Sequence, residues 1–272
     1  MRGFNHIRSD HPRPLVPFLS VHQSDRLSAI LEELSGNGSV SVTDLSRQFD
    51  VSLATVRRDL ELLEEQRLIS RVHGGAVARG VLYELPLRYK AARQQEEKRR
   101  IAHEAAARVP DDANLGLTGG TTTTEVARAL ADRSGLTVVT NALNIASELA
   151  IRTNLKLVVP GGVARPESYE LVGPIAESGL EGFNLDLAIV GVDGISAESG
   201  CTTHHDIEAH TNRALIRRAK RVIVVADSSK LGRVAFARIC TIGEVDELIT
   251  DSGADPEELK RLEDAGLHVV LC

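Results

Sequence analysis

Two stretches of this sequence gather residue types suited to holding an anion. The first is SLATVRRDL, residues 52–60, where Arg57 and Arg58 stand together behind Ser52 and Thr55. An arginine fork matches a phosphate or the edge of a guanine, and the hydroxyls add donors. The plainer reading is a solvated helix face with the arginines paired to Glu61. The second stretch is TGGTTTTE, residues 118–125. Gly119 and Gly120 let the backbone approach a ligand, and Thr121, Thr122 and Thr123 open a helix whose free N–H groups and dipole favour an anion. Lys230, in DSSK, supplies a cation at another strand end. The stretch lacks the Gly-Lys-Ser/Thr ending of a nucleotide P-loop, and no Gly-x-Gly-x-x-Gly occurs there. A small phosphate ester suits it. The plainer readings are a Thr122–Glu125 capping box and a solvated surface lysine.

The elements that must position these residues follow from periodicity. Leu27, Ile30, Leu31 and Leu34 predict an amphipathic helix over 24–35, capped by Ser24 and stopped by Gly36 to Gly38. SVSV, residues 39–42, is a candidate sheet edge. A short helix over 43–49 has Thr43 as its cap. Ser52 caps a third helix running to about Gln66, with Val56, Leu60 and Leu63 on one face. LISRVHGGAVAR, residues 68–79, reads as a hairpin turning at Gly74 and Gly75. Three helices and a hairpin describe a winged helix-turn-helix, whose third helix is the element able to enter a major groove. Residues 1–20 read as a disordered tail and 21–78 as the winged helix. Residues 79–95, of weak periodicity, read as a linker. From 96 to 272 strand-like runs alternate with helical segments at 96–108, 122–132, 142–151, 206–219 and 256–265, which implies an α/β domain with a mainly parallel sheet. Five of the strands run into Gly119–Thr123, Thr140–Asn141, Gly161–Gly162, GVDGIS and DSSK. Ligands bind outside the carboxyl ends of strands in such sheets, so these five loops are expected to share one pocket.

Composition sets the limits. The chain has 272 residues, 42% apolar and 26% charged, with 3% aromatics and no tryptophan. No apolar run approaches the ~20 residues of a membrane span, and the start does not read as a signal peptide. Three separated cysteines, Cys201, Cys240 and Cys272, suggest a reducing, cytoplasmic setting. The net charge is −6: residues 1–80 are neutral, with 10 arginines and 10 acids, and the remainder carries the excess of acids. Local placement, not net charge, therefore has to carry any case for nucleic acid. His204, His205, Asp206 and His210 match no strong metal-ligand spacing, and neither a Ser-His-Asp nor a Cys-His arrangement can be assembled. No metal, cofactor or catalytic residue is expected.

The motifs also carry a family likeness. Residues 52–60 with the wing RVHGGA, and then GGTTTTEVARAL, VVTNALNIA, VVPGGVARPE, LVGP, DLAIVGVDGIS and VADSSKLG in that order, resemble the DeoR family of bacterial regulators from about Ser24 to Cys272. The resemblance implies a repressor of a carbohydrate operon that binds operator DNA and is released by a phosphorylated sugar. On that reading Ser52, Thr55, Arg57, Arg58, Arg71 and His73 contact double-stranded DNA, and a homo-oligomer, at least a dimer, reads a repeated half-site. Asp59 is expected to be structural. The linker at 79–95 is the expected route between effector and DNA sites. The sensor half is also similar to ribose-5-phosphate isomerase, which raises a sugar-phosphate isomerase as the rival. Asp193 and Gly194 match the isomerase Asp-Gly-Ala-Asp, but Ser196 replaces its second aspartate, and ESGCTTHH replaces the lysine- and glycine-rich stretch that follows. Binding without turnover is therefore expected, with Asp193 and Glu208 bonding sugar hydroxyls. A third reading is a regulator that senses an unphosphorylated sugar or nucleoside.

Overall fold

Leu27, Ile30, Leu31 and Leu34 are all buried along one face of α1 (Gln23–Asn37) in a computed structural model that describes residues 23–78, 86–91 and 93–272. The sequence segments 1–22 and 79–85, and residue 92, lie outside the described residues. After α1 come β1 (Ser39–Ser41), α2 (Val42–Gln48), α3 (Leu53–Glu65), β2 (Ile69–Val72) and β3 (Gly75–Ala78). The strands form an antiparallel sheet in the order β1-β3-β2. Val56, Leu60 and Leu63 of α3 join α1, Val42, Leu45 and Ile69 in one apolar core. Three boundaries differ from the sequence reading. The first helix starts at Gln23 and runs to Asn37, with Gly38 beyond it at φ +72°. The cap of α2 is Ser41, whose hydroxyl accepts from the Thr43 and Asp44 amides, so Thr43 lies inside the helix. The segment read as linker contains a helical turn, α4 (Leu87–Lys90), with Leu87 and Tyr89 buried. Ser52 caps α3 as its position implies, accepting from Thr55 N–H at 3.1 Å.

The larger part follows as α5 (Gln95–Ala106), β4 (Asn114–Leu117), α6 (Thr121–Leu130), β5 (Thr137–Thr140), α7 (Leu143–Leu149), β6 (Lys156–Val158), β7 (Val163–Ala164), β8 (Leu171–Val172), α8 (Pro174–Glu181), β9 (Leu187–Gly191), β10 (Gly194–Ser196), β11 (Gly200–Thr203), α9 (Asp206–Ile216), β12 (Val222–Val225), β13 (Ala237–Cys240), β14 (Glu247–Thr250), α10 (Pro256–Asp264) and β15 (His268–Leu271). Seven strands form a parallel sheet in the order β15-β14-β12-β9-β4-β5-β6. Alternate side chains feed opposite faces, as a pleated strand requires. Leu187, Ile189, Ile223 and Val225 pack under α5, α6 and α7, whereas Ala188, Val190, Val222 and Val224 pack on the side of α9 and α10. Strand order runs outward in both directions from the β4–β9 pair. That pair is the topological switch point, where helices leave on opposite faces and a crevice opens at the strand ends. A small antiparallel sheet, β10-β11-β13, stands over this end and sets Cys201 opposite Cys240, both free thiols.

Candidate functional site

The exposed face of α3 meets α2 and the wing across a cleft lined by Thr43, Leu53, Arg57, Arg71 and His73. Both Arg57 and Arg58 are exposed. Neither makes an ion pair or side-chain hydrogen bond among the described residues, so the Glu61 pairing does not occur; only Arg57 faces the cleft. Glu61 is taken by Arg71, at 2.9 Å, and the Arg71 amide donates to Glu64 at 3.1 Å. Arg71 thus spends part of its charge holding the wing to α3. Ser52 and Thr55 share a hydroxyl hydrogen bond of 2.9 Å at the helix start. Asp59 points the other way. It is 1% exposed and accepts from Arg26 at 2.8 Å and Gln23 at 3.0 Å, both on α1. It fixes α3 to α1.

At the switch point a cavity is walled by the loops after β4, β9 and β12, together with α4, the β7–β8 hairpin and the start of α9. Gly120, at φ +132°, is the residue before α6, and no side chain caps that helix. Its first N–H groups therefore remain available, as helix starts leave them. Thr123 and Thr124 turn their hydroxyls back onto the Gly120 carbonyl, at 3.0 and 2.6 Å. Of the residues singled out by sequence, Gly119, Gly120, Thr121, Thr122, Asp193, Glu208 and Lys230 line the cavity. Thr123, Thr140, Asn141, Gly161 and Gly162 do not. Thr140 accepts from the Ala142 amide, Asn141 donates to Asn212 and to the Leu171 carbonyl, and Gly161 and Gly162 pack near Ile175 and Ala176 of α8. Three of the five loops reach the cavity at their strand ends; β5 and β6 lie on the far side of β4 from the switch point, and the chain after β6 reaches the cavity only further on, through Ser168 and Glu170.

The cavity is a network of charges that are already matched. Asp193 accepts from Lys90 at 2.9 Å, with Lys230 at 3.8 Å and His204 at 3.9 Å from the same oxygen. Burial would raise the Asp193 carboxyl, but Lys90 and Lys230 outweigh it and hold it well below the usual carboxylate range. Burial lowers Lys230, and Asp193 offsets part of that. Glu208 is bonded to Arg165, and the Thr203 hydroxyl bridges Asp193 and Glu208 at 3.1 and 3.2 Å. Glu170 accepts the Gly119 N–H at 2.7 Å. A Cβ at position 119 would lie 2.4 Å from that carboxyl, so any larger residue would have to displace Glu170. Burial, then the neighbouring charge of Glu208, pushes Glu170 up to about 8. Ser168 lines the cavity, and its hydroxyl is buried with no hydrogen-bond partner among the described residues.

Lys90, Arg165, Ser168, Glu170, Thr203 and Asn212 escape a reading of the sequence. Lys90 sits in the presumed linker. Arg165, Ser168 and Glu170 fall within ARPESYE, where no strand end marks them; the only available signal is the density of polar residues beside the Gly161–Gly162 turn.

Comparison with known proteins covers both parts of the chain. Residues 26–79 match the DeoR-like helix-turn-helix domain, and residues 93–252 match the DeoR C terminal sensor domain. The glycerol-3-phosphate regulon repressor of Escherichia coli strain K12 is 35% identical over 250 residues, covering 92% of this chain and 99% of that protein. The HTH-type transcriptional regulator GlpR of Haloferax volcanii is 38% identical over 248 residues, covering 91% and 97%. Among solved structures, ribose 5-phosphate isomerase A of Methanocaldococcus jannaschii aligns at a TM-score of 0.38 and 19% identity, over 50% of this chain and 54% of that one.

Proposed function

The chain belongs to the DeoR family of transcriptional regulators, and from that premise we propose that it represses a carbohydrate-metabolism operon and is released by a phosphorylated sugar. The carrying observation is the cavity, where an uncapped helix start and the Lys230 ammonium face one space that Ser168 also lines. An anionic group at the α6 start gains the helix dipole, and a polyol reaches Asp193, Glu170 and Ser168. At the other end, α3 enters the major groove with Arg57 toward base edges, while Arg58, Ser52, Thr55, Arg71 and His73 serve the phosphates. One such helix reads few base pairs, so at least a dimer engages a repeated half-site. Affinity falls steeply with salt, because phosphate neutralisation releases counterions.

Binding without turnover is supported by the state of the carboxylates. Isomerisation needs a base free to move a proton between adjacent carbons. Glu208 is committed to Arg165 and Thr203, and Asp193 to Lys90. Ser196, at the place of the isomerase's second aspartate, closes a local turn by accepting the Ser199 amide at 3.1 Å.

The test is selection of DNA from a random pool by the full chain, followed by competition with a panel of sugar phosphates and their free sugars. The expected outcome is a repeated half-site, released by one phosphate ester and not by its free sugar. Release by the free sugar alone sinks the phosphate reading. Sustained conversion of ribose 5-phosphate by the purified protein would restore the enzyme.

A further inference from the structure

The single turn α4 touches both functional ends of the molecule. Tyr89 is 5% exposed and packs in the apolar core of the winged helix. Its carbonyl accepts from Ser28 of α1 at 2.6 Å, and its hydroxyl donates to Gln66 at the end of α3. Arg88 donates to the same Gln66 oxygen at 2.9 Å, and Arg93 pairs with Glu32 of α1. Leu87 and Lys90 of the same turn face the cavity. Leu87 lines it, and its amide donates to the Glu167 carbonyl of the β7–β8 hairpin at 2.7 Å. Lys90 enters it and meets Asp193 at 2.9 Å. Buried Lys98 of α5 fixes the turn from below, donating to the carbonyls of Lys90 and Arg93 at 2.9 and 2.6 Å.

We infer that Lys90 is a ligand of the effector's anionic group, and that its transfer from Asp193 to that group carries occupancy of the cavity to α1 and α3. This rests on the reading of the cavity as a sugar-phosphate site and adds the coupling residue. The chemistry is an exchange of partners. A phosphate at the start of α6 brings up to two negative charges beside the ammonium that bonds Asp193, and α4 also borders the first turn of α6 at Leu87, Ala91 and Thr121. The mechanics follow from covalent geometry. Lys90 is bonded directly to Tyr89 and its carbonyl is held by Lys98, so a shift of the Lys90 backbone reaches Tyr89 with only two soft dihedrals between them. Tyr89 is locked in a packed core, and its displacement must move α1 or α3. Lys230 shares the same carboxylate but stands on the loop after β12 and has no such connection.

Amide hydrogen exchange of the full chain tests this without knowing the effector. Asp193→Asn removes the anchor of Lys90 while leaving α4 intact. Exchange within 87–91 and in α1 is expected to rise about fivefold or more, the low end of usual site-to-site coupling. Lys90→Met is expected to do the same, and the double variant no more than either single one, because both changes break one link. Lys230→Met is expected to leave α1 as in the wild type. Wild-type exchange in α1 for both Asp193→Asn and Lys90→Met overturns the inference, as does an equal rise with Lys230→Met. Inorganic phosphate at tens of millimolar is the second arm. It is expected to slow exchange at the start of α6 in every form that keeps Lys230, and to loosen α1 in the wild type but not further in Lys90→Met. Protection of α6 with α1 unmoved in the wild type overturns the coupling and leaves the site. No protection anywhere overturns the site, while the variant arm still decides the link.

Discussion

On α3, Arg57 and Arg58 stand in water without an ion pair among the described residues, whereas in the cavity Lys90 and Lys230 crowd Asp193 and Arg165 holds Glu208. The contrast follows from solvation. An exposed guanidinium is hydrated and screened within about 8 Å at physiological salt, so leaving it unpaired costs little and keeps it ready for a phosphate. A buried ammonium without a partner costs several kcal/mol. On the proposed function the two surfaces bind anions differently. DNA adds contacts to charges already free. On that reading an anion at the α6 start also draws a cation from a carboxylate, and its binding is coupled to rearrangement.

The comparison can be broken hardest within α3 itself, where adjacent residues fall on opposite sides of it. Asp59→Asn removes the charge that Arg26 pairs with in a buried site, and should cost about 3 kcal/mol of stability in chemical denaturation. Next, Lys230→Ala removes a charged donor from the cavity. It should weaken the sugar phosphate that releases the operator by about 1.5–3 kcal/mol in titration calorimetry, with operator binding retained. Arg57→Ala should cost about 1–3 kcal/mol of operator affinity and relax the preference at one base pair, with thermal stability unchanged. If Arg57→Ala destabilises the fold instead, its side chain is not the free cation that the comparison requires. If both Arg57→Ala and Arg58→Ala leave operator binding intact, α3 is not the reading element.

The sequence showed the elements better than the site. α1 and α3 repeat their apolar residues at 3.6 over several turns, and the central strands are continuous apolar runs buried on both faces, so Leu27 to Leu34 and Val56 to Leu63 are readable one residue at a time. α4 has four residues, too few to display a period, and its burial depends on two partners distant in the chain. α8 escaped for a related reason: Pro174 at its start reads as a turn unless the helix behind it is already known. Local turn chemistry gave Gly119 to Thr122 and Lys230. Glu170, Arg165 and Lys90 reach the cavity through non-local packing, and no single loop records that. The strand order that excludes Thr140 and Gly161 from the cavity is likewise set by how crossovers close.

The smallest expected effect is a pH slope, and it tests whether the cavity is matched by protons as well as by cations. Glu170 sits against the Gly119 amide and near Glu208, with its carboxyl raised to about 8 from an ordinary 4.5 by burial first and Glu208 second. Its folded-state value lies above its unfolded one, so its contribution to stability is complete below about 4.5 and is lost as pH rises through about 8. Across that window the folded protein keeps a proton that the unfolded chain gives up, a slope of at most about 1.4 kcal/mol per pH unit for one group. Asp193 acts in the opposite sense and only in acid, since its folded value lies below the usual range. His204, lowered by burial, adds its own slope near its ordinary 6.5. Denaturation of the wild type and Glu170→Gln at pH 6.5, 7.25 and 8 therefore separates Glu170 by difference, since the other groups are common to both. The wild type should lose stability relative to Glu170→Gln as pH rises. Sugar-phosphate affinity should fall in the same direction, because an ionised Glu170 beside the α6 start repels the entering anion. Parallel curves for the two proteins would mean that Glu170 is ionised throughout, and that the cavity holds one more fixed negative charge than the exchange of partners at Asp193 allows for.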